Sequence, residues 1–203
     1  MKIAILGQGR VGGALGAGLA AAGHEVVFGV RDPEDPKHRE AAVSVASVAA
    51  AVAAGEAVIL ATPWDAVPAV LAAAGDFAGK PLLDATNPIG PGFVLTHGHT
   101  DSGAEVVARL APSARVVKAF NSTGFENMAD PIYGDQRAAM FVCGDDAAAR
   151  EVALGLARDL GFDAVAVGAL SRARLLEPLA MLWISLAMAP GQGRKLAFGL
   201  LRR

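Results

Sequence analysis

Residues 2–28, "KIAILGQGRVGGALGAGLAAAGHEVVF", decide the fold. An apolar run of strand length ends in Gly7-x-Gly9-x-x-Gly12, a helical stretch follows, and a second apolar run begins within 30 residues. Each glycine has a separate task in that setting. Gly7 allows a tight turn, Gly9 lets backbone approach a pyrophosphate, and Gly12 lets helix and strand pack closely. The helix start then offers unpaired N–H groups and the positive end of its dipole to phosphate oxygens. The loop as a whole, Gly7, Gln8, Gly9, Arg10, Val11 and Gly12, is the expected dinucleotide cradle. Gly13, Gly16 and Gly18 are read as packing glycines. No Lys-Ser/Thr follows the loop, which excludes a P-loop.

Working outward, further strand-length runs recur: "EVVFGV", a weak "VSV", "AVIL", "PLLDA", "RVVKAF", "AAMFVC" and "DAVAV". Helical stretches of about 8 to 15 residues separate most of them, the spacing of βαβ units. The runs are apolar throughout rather than alternating, as a sheet covered on both faces requires. A doubly wound, mostly parallel α/β sheet of Rossmann type is expected over residues 1–170. Residues 171–203 form a C-terminal helix and tail, kinked at Pro178 and apolar on nearly every face beyond it. That helix must be covered by the sheet or by a second copy, and a homodimer is expected.

Composition removes other classes. The 203 residues carry a net charge of −2 with both signs interspersed, so nothing selects nucleic acid or an anionic membrane. The uncharged run "PLAMLWISLAMAP" is 13 residues, short of the ~20 a membrane helix needs. The Ala-rich tract at 41–61 is interrupted by Glu56 and reads as buried structure. One cysteine, Cys143, permits no internal disulfide; it is expected buried and inert, in a cytoplasmic protein. No clustered metal-ligand pattern and no G-x-S-x-G appears, and no metal is expected.

The second strand ends in "VVFGVRDP". Asp32 lies 20 residues beyond Gly12, where an acid that binds the adenosine ribose of NAD is expected. Val30 takes the last strand position, so Arg31 is the first loop side chain, and its fixed planar charge suits the extra phosphate of NADP. NADP(H) is the expected cofactor; Asp32 can instead bind ribose or cap the next segment. Ligands of such sheets lie beyond the carboxyl ends of the strands. Those ends carry Thr62 in "ATPWDAV", Asn87 in "DATNPIGPGF" and Asn121 in "KAFNSTGFEN". Thr62 reads as a helix N-cap with Pro63 at the first helical position and Asp65 completing a capping box. Ser102 with Glu105 reads as another, which puts His97 and His99 in the loop before it. His99 is the candidate proton donor should the reaction be a carbonyl reduction; His24 and His38 read as surface residues.

Taken in order along nearly the whole chain, "ILGQGRVGGALGAGLAAAGHEVVFGVRDP", "ILATPWDAV", "DATNPIG", "RVVKAFNSTGFENMADP", "MFVCGDD" and "SRARLLEPLAMLW" resemble the F420-dependent NADP oxidoreductase family. The same segments resemble the cofactor domain of metal-reducing membrane proteins. The resemblance implies hydride transfer between NADPH and coenzyme F420, a deazaflavin, or a related acceptor such as a flavin. It puts Thr62, Pro63, Trp64, Asn87 with Pro88, and Asn121 around the reacting rings, with Gly191 and Gly193 of the tail beside the acceptor. Such chemistry asks mainly for donor and acceptor carbons held about 3–3.5 Å apart. Where the family carries a small hydroxyl residue before the arginine, this chain has Val30. A flavin or small-carbonyl reductase and a non-catalytic dinucleotide sensor are the other readings.

Overall fold

The computed structural model describes residues 1–36, 43–201 and 203; His38 lies outside them. The strands fall where the apolar runs are: β1 Lys2–Leu6, β2 Glu25–Val30, β3 Ser44–Ser47, β4 Ala57–Leu60 and β5 Pro81–Asp84. After two short pieces, β6 Ile89–Gly90 and β7 Val94–Leu95, come β8 Arg115–Lys118, β9 Ile132–Tyr133, β10 Gln136–Arg137, β11 Ala139–Gly144 and β12 Asp163–Gly168. The helices are α1 Arg10–Ala21, α2 Val48–Ala54, α3 Val67–Ala74, α4 Gly103–Leu110, α5 Phe125–Ala129, α6 Ala147–Asp159 and α7 Ala173–Met188.

Eight strands form one sheet in the order β12-β11-β8-β5-β4-β1-β2-β3. Six run parallel; β11 is antiparallel to β8, and β12 follows β11. The chain leaves β1 toward β2 and β3, then crosses back to lay β4 on the other side of β1. That reversal opens a crevice beyond the ends of β1 and β4, where a doubly wound sheet takes its ligand.

The uniformly apolar strands are explained by two cores, one per face. Ile3, Ile5, Phe28, Ile59, Leu83 and Val117 pack with residues of α1 and α6. Ala4, Leu6, Val27, Val58, Leu60 and Leu82 pack with α2, α3, α4 and the start of α7. Successive side chains of one strand serve opposite faces, so neither can be polar. Helix α7 therefore lies on the sheet through Ala173 and Leu176. It continues through Pro178 to Met188, so the proline expected to kink the helix does not end it. Among the described residues no helix is long and apolar enough to cross a membrane.

Two residues outside the crevice bear on the sequence reading. Cys143 is buried and its thiol is pushed up to about 12 by that burial, so it stays protonated and unreactive. His24 is not a surface residue: its ring is 13% exposed and Nε2 lies 3.0 Å from Asp159 Oδ2.

Candidate active site

Two glycines of the loop are required by the fold itself, Gly7 for its turn and Gly12 for close packing. Gly7 has φ +111°, and a Cβ there would stand 2.5 Å from the Ala61 carbonyl oxygen. A Cβ on Gly12 would stand 2.0 Å from the carbonyl oxygen of Gly7. Both positions are closed to any other residue by the protein itself. At Gly9 a Cβ would meet nothing within 4 Å, so no contact within the protein requires a glycine there. Gly16 and Gly18 are packing glycines, against Phe28 and Leu160, whereas Gly13 faces open space. Gly9 caps α1, whose first turn carries no acid to neutralise its positive end.

Beyond β2 the side chains sort themselves. Val30 is the last strand residue and packs on the core, and Arg31 follows it, exposed. Asp32 accepts the Glu34 N–H at 3.1 Å, so one of its carboxylate oxygens is held by its own turn.

After β4 the expected capping box is absent. The chain enters a short 3-10 turn, Trp64–Ala66, and α3 starts only at Val67 with Pro68 near its beginning. Pro63 therefore occupies the cap, and the Thr62 hydroxyl is buried without a hydrogen-bond partner. Thr62 sits against the glycine loop; its Cγ2 would lie 3.1 Å from a Cβ on Gly7. Trp64 meets the edge of His97 at 5.5 Å. The second box does form: Ser102 Oγ accepts the Glu105 N–H and donates to its carboxylate at 2.7 Å. His99 lies exposed on that loop, at φ +57°.

Asn87 and Asn121 are brought into a reciprocal pair. Asn87 Nδ2 donates to the Asn121 carbonyl at 2.9 Å, and Asn121 Nδ2 donates to Asn87 Oδ1 at 3.0 Å and to the Leu176 carbonyl at 3.1 Å. Both amide protons of Asn121 are thereby fixed, and its buried Oδ1 has no partner among the described residues.

Behind this pair is a cluster with no counterpart in the sequence reading. Asp84 and Lys118 stand opposite each other on β5 and β8. Lys118 is fully buried, 2.9 Å from both Asp84 Oδ2 and Glu177 Oε1, and donates to the Thr86 carbonyl. Glu177 also accepts the Gly103 and Ala104 N–H groups, holding α7 on the start of α4. Burial pushes the Lys118 ammonium down, but the two carboxylates outweigh it and hold its pKa above the ordinary 10.5. The available signal was charge at the ends of two apolar strands and one acid inside an apolar helix.

A cleft of about 430 Å³ opens in front of the Asn pair. Val11 of the glycine loop, Asn87 and Asn121 line it with Phe93, Thr123, Gly124 and Phe125, and Trp183, Ile184 and Met188 of α7 form the opposite wall. Arg194 closes it, with its guanidinium 5.6 Å from the Phe125 ring centre and 5.3 Å from that of Trp183. The tail is pinned through Leu196, whose carbonyl accepts from Asn127 Nδ2 at 2.6 Å and Trp183 Nε1 at 2.8 Å. Thus the cleft gathers Val11, Asn87 and Asn121 from the expected set, but neither Trp64 nor His99 is in its lining. Pro88 is buried beside Gly103. The aromatic and aliphatic wall escaped sequence reasoning, because an apolar helix reads as core.

The loop, the open space at Gly9 and the exposed Arg31 fit a phosphorylated dinucleotide. Comparison with known proteins agrees. The family described as "NADP oxidoreductase coenzyme F420-dependent" matches residues 2–88. The F420-dependent NADP reductase of Methanothermobacter thermautotrophicus is 32% identical, over 92% of this chain and 89% of its own length. A crystal structure of a candidate F420-dependent NADP reductase from Arthrobacter sp. FB24 is 36% identical, covers all of both chains and superposes with a TM-score of 0.89. Metalloreductase STEAP3 of Rattus norvegicus is 33% identical over 88% of this chain, which spans only 36% of that protein's length. The chain belongs to the coenzyme F420-dependent NADP oxidoreductase family and is an NADP-dependent oxidoreductase.

Proposed function

We propose that this enzyme transfers a hydride between NADP(H) and a flat tricyclic acceptor, the deazaflavin F420 or a related ring system such as a flavin. The observation that carries the reading is the cleft: its lining holds aromatic and aliphatic side chains, neutral amides, the Thr123 hydroxyl and one arginine, but no Asp, Glu, His, Lys or Cys. A carbonyl reduction needs a proton at the nascent alkoxide, and that lining holds no acid that titrates near neutral pH to supply it. A ring acceptor that takes the hydride at its central ring, at C5 of a deazaflavin or N5 of a flavin, and its proton from water asks only for position and for exclusion of competing reactions. The α1 start with Gly9 would hold the pyrophosphate, Arg31 the 2′-phosphate, and Thr62, Asn87 and Asn121 the nicotinamide end. Bound NADPH supplies the hydride; the protein's part is to hold that ring against the wall of Phe125 and Trp183.

The test is NADPH oxidation, followed by its absorbance, with F420, FMN, FAD and a panel of small ketones as separate acceptors. Oxidation with a tricyclic acceptor and none with the ketones is expected. Ketone turnover would return the reaction to carbonyl chemistry, and NADPH binding without oxidation by any acceptor would make the chain a sensor.

The same reading includes a cytoplasmic homodimer. A free, buried Cys143 fits a reducing compartment. Leu175, Leu182 and Leu186 lie exposed on α7 with Leu179 between them, a stripe at helical spacing that a two-fold copy of itself would cover.

A further inference from the structure

Arg194 has more to do than hold the tail. It is the one charged side chain in the lining of the cleft. Its Nε donates to Glu126 Oε1 at 2.6 Å, and no bond is made by its two terminal nitrogens among the described residues. The side chain is 45% exposed, so those nitrogens remain open to a ligand. The tail does not depend on this ion pair, since Leu196 accepts two side-chain bonds and Phe198 accepts the Ala139 N–H at 2.8 Å. What Glu126 and the rings of Phe125 and Trp183 accomplish is to set the guanidinium in place. A preset planar fork is suited to a bidentate oxyanion.

Resting on the reading of this cleft as the acceptor site, we infer that Arg194 is its specificity-determining residue and that it binds an anionic group, phosphate or carboxylate, carried on the acceptor beside its ring. The anions of NADPH have other partners, the α1 start for the pyrophosphate and Arg31 for the 2′-phosphate. Arg10 at the start of α1 shares the Phe125 ring, at 5.5 Å, and Arg194, the cation in the lining of the cleft, is the one assigned to the second substrate. Neutral rings of the same shape then lose one charge-assisted contact and nothing else.

FMN and riboflavin make the comparison, because they share a ring and differ in a phosphate. Their dissociation constants are read from quenching of flavin fluorescence, for wild type and Arg194→Gln, with NADPH affinity and thermal unfolding measured on the same samples. Wild type is expected to prefer FMN by about tenfold at low salt, the worth of one charge-assisted bond. Arg194→Gln removes that preference by weakening FMN alone, with NADPH affinity and the unfolding midpoint unchanged. Equal weakening of both flavins, no effect on either, failure of both to bind wild type, or a loss confined to NADPH would each overturn the inference. If FMN binds with the expected preference but oxidises no NADPH, hydride transfer to flavins falls and the anion site stands.

Discussion

The hydroxyl of Thr62 is buried beside the glycine loop with no partner among the described residues. A buried polar group left unpaired costs about 1–3 kcal/mol, so this one weakens the ligand-free fold unless something completes it. Thr62→Val keeps the shape and removes the group. It is expected to raise the unfolding midpoint of the free protein while weakening NADPH binding. A lowered midpoint would mean that the hydroxyl is satisfied internally. At Arg31 the expected separation is between cofactors. Arg31→Ala should weaken NADPH about tenfold or more, by loss of a charge-assisted contact, and leave NADH unchanged in a fluorescence titration. Equal losses for both would sink the phosphate role. Asp32, which counting from Gly12 selects, has an oxygen held by the turn to Glu34. Counting cannot see which side chain the strand end leaves free, but the strand boundary at Val30 can.

At the scale of elements, the strands were legible because both faces of the sheet are covered, which forces uninterrupted apolar runs. The helix after β4 was misplaced because a Thr-Pro-x-Asp pattern suits a cap equally well whether or not the chain first makes a 3-10 turn. The buried Asp84–Lys118–Glu177 cluster was illegible for another reason: Asp84 and Lys118 are 34 residues apart, Glu177 lies 59 residues beyond Lys118, and only packing joins them. Removing its cation strands two buried carboxylates. Lys118→Met should therefore destabilise the protein by about 3–5 kcal/mol, measured by urea unfolding near neutral pH. Because the folded pKa of Lys118 is the higher one, its stabilising contribution is complete below the ordinary 10.5 and is lost as pH climbs through the folded value. In Lys118→Met the alkaline decline of stability above that pH should be shallower than in wild type, and an identical decline would mean that Lys118 does not hold its proton more tightly in the fold.

For the molecule as a whole, α7 is the element with two duties. Its inner side carries Glu177 and Trp183 into the cluster and the cleft, while its outer side shows leucines to solvent. Leu182→Glu combined with Leu186→Glu should convert a sedimenting dimer to a monomer, and since both lie on the outer stripe, NADPH affinity should persist. A wild type that sediments as a monomer at micromolar concentration would remove the dimer. The sequence made the need for a cover plain, since so apolar a helix cannot face water on all sides. It did not say which residues would meet the sheet, because that depends on the rotation of α7 fixed by Glu177 at the start of α4.

The return of the tail to β11 has a consequence for inheritance. The glycine loop and Arg31 lie within residues 2–88, the stretch over which the family match extends. The opposite wall is laid down last, by α7 and the tail, where the Phe198 carbonyl accepts the Ala139 N–H. On the proposed reading of the cleft, change in the final thirty or so residues would exchange one acceptor for another while the cofactor half is passed on intact. Relatives that share the glycine loop need not share a substrate.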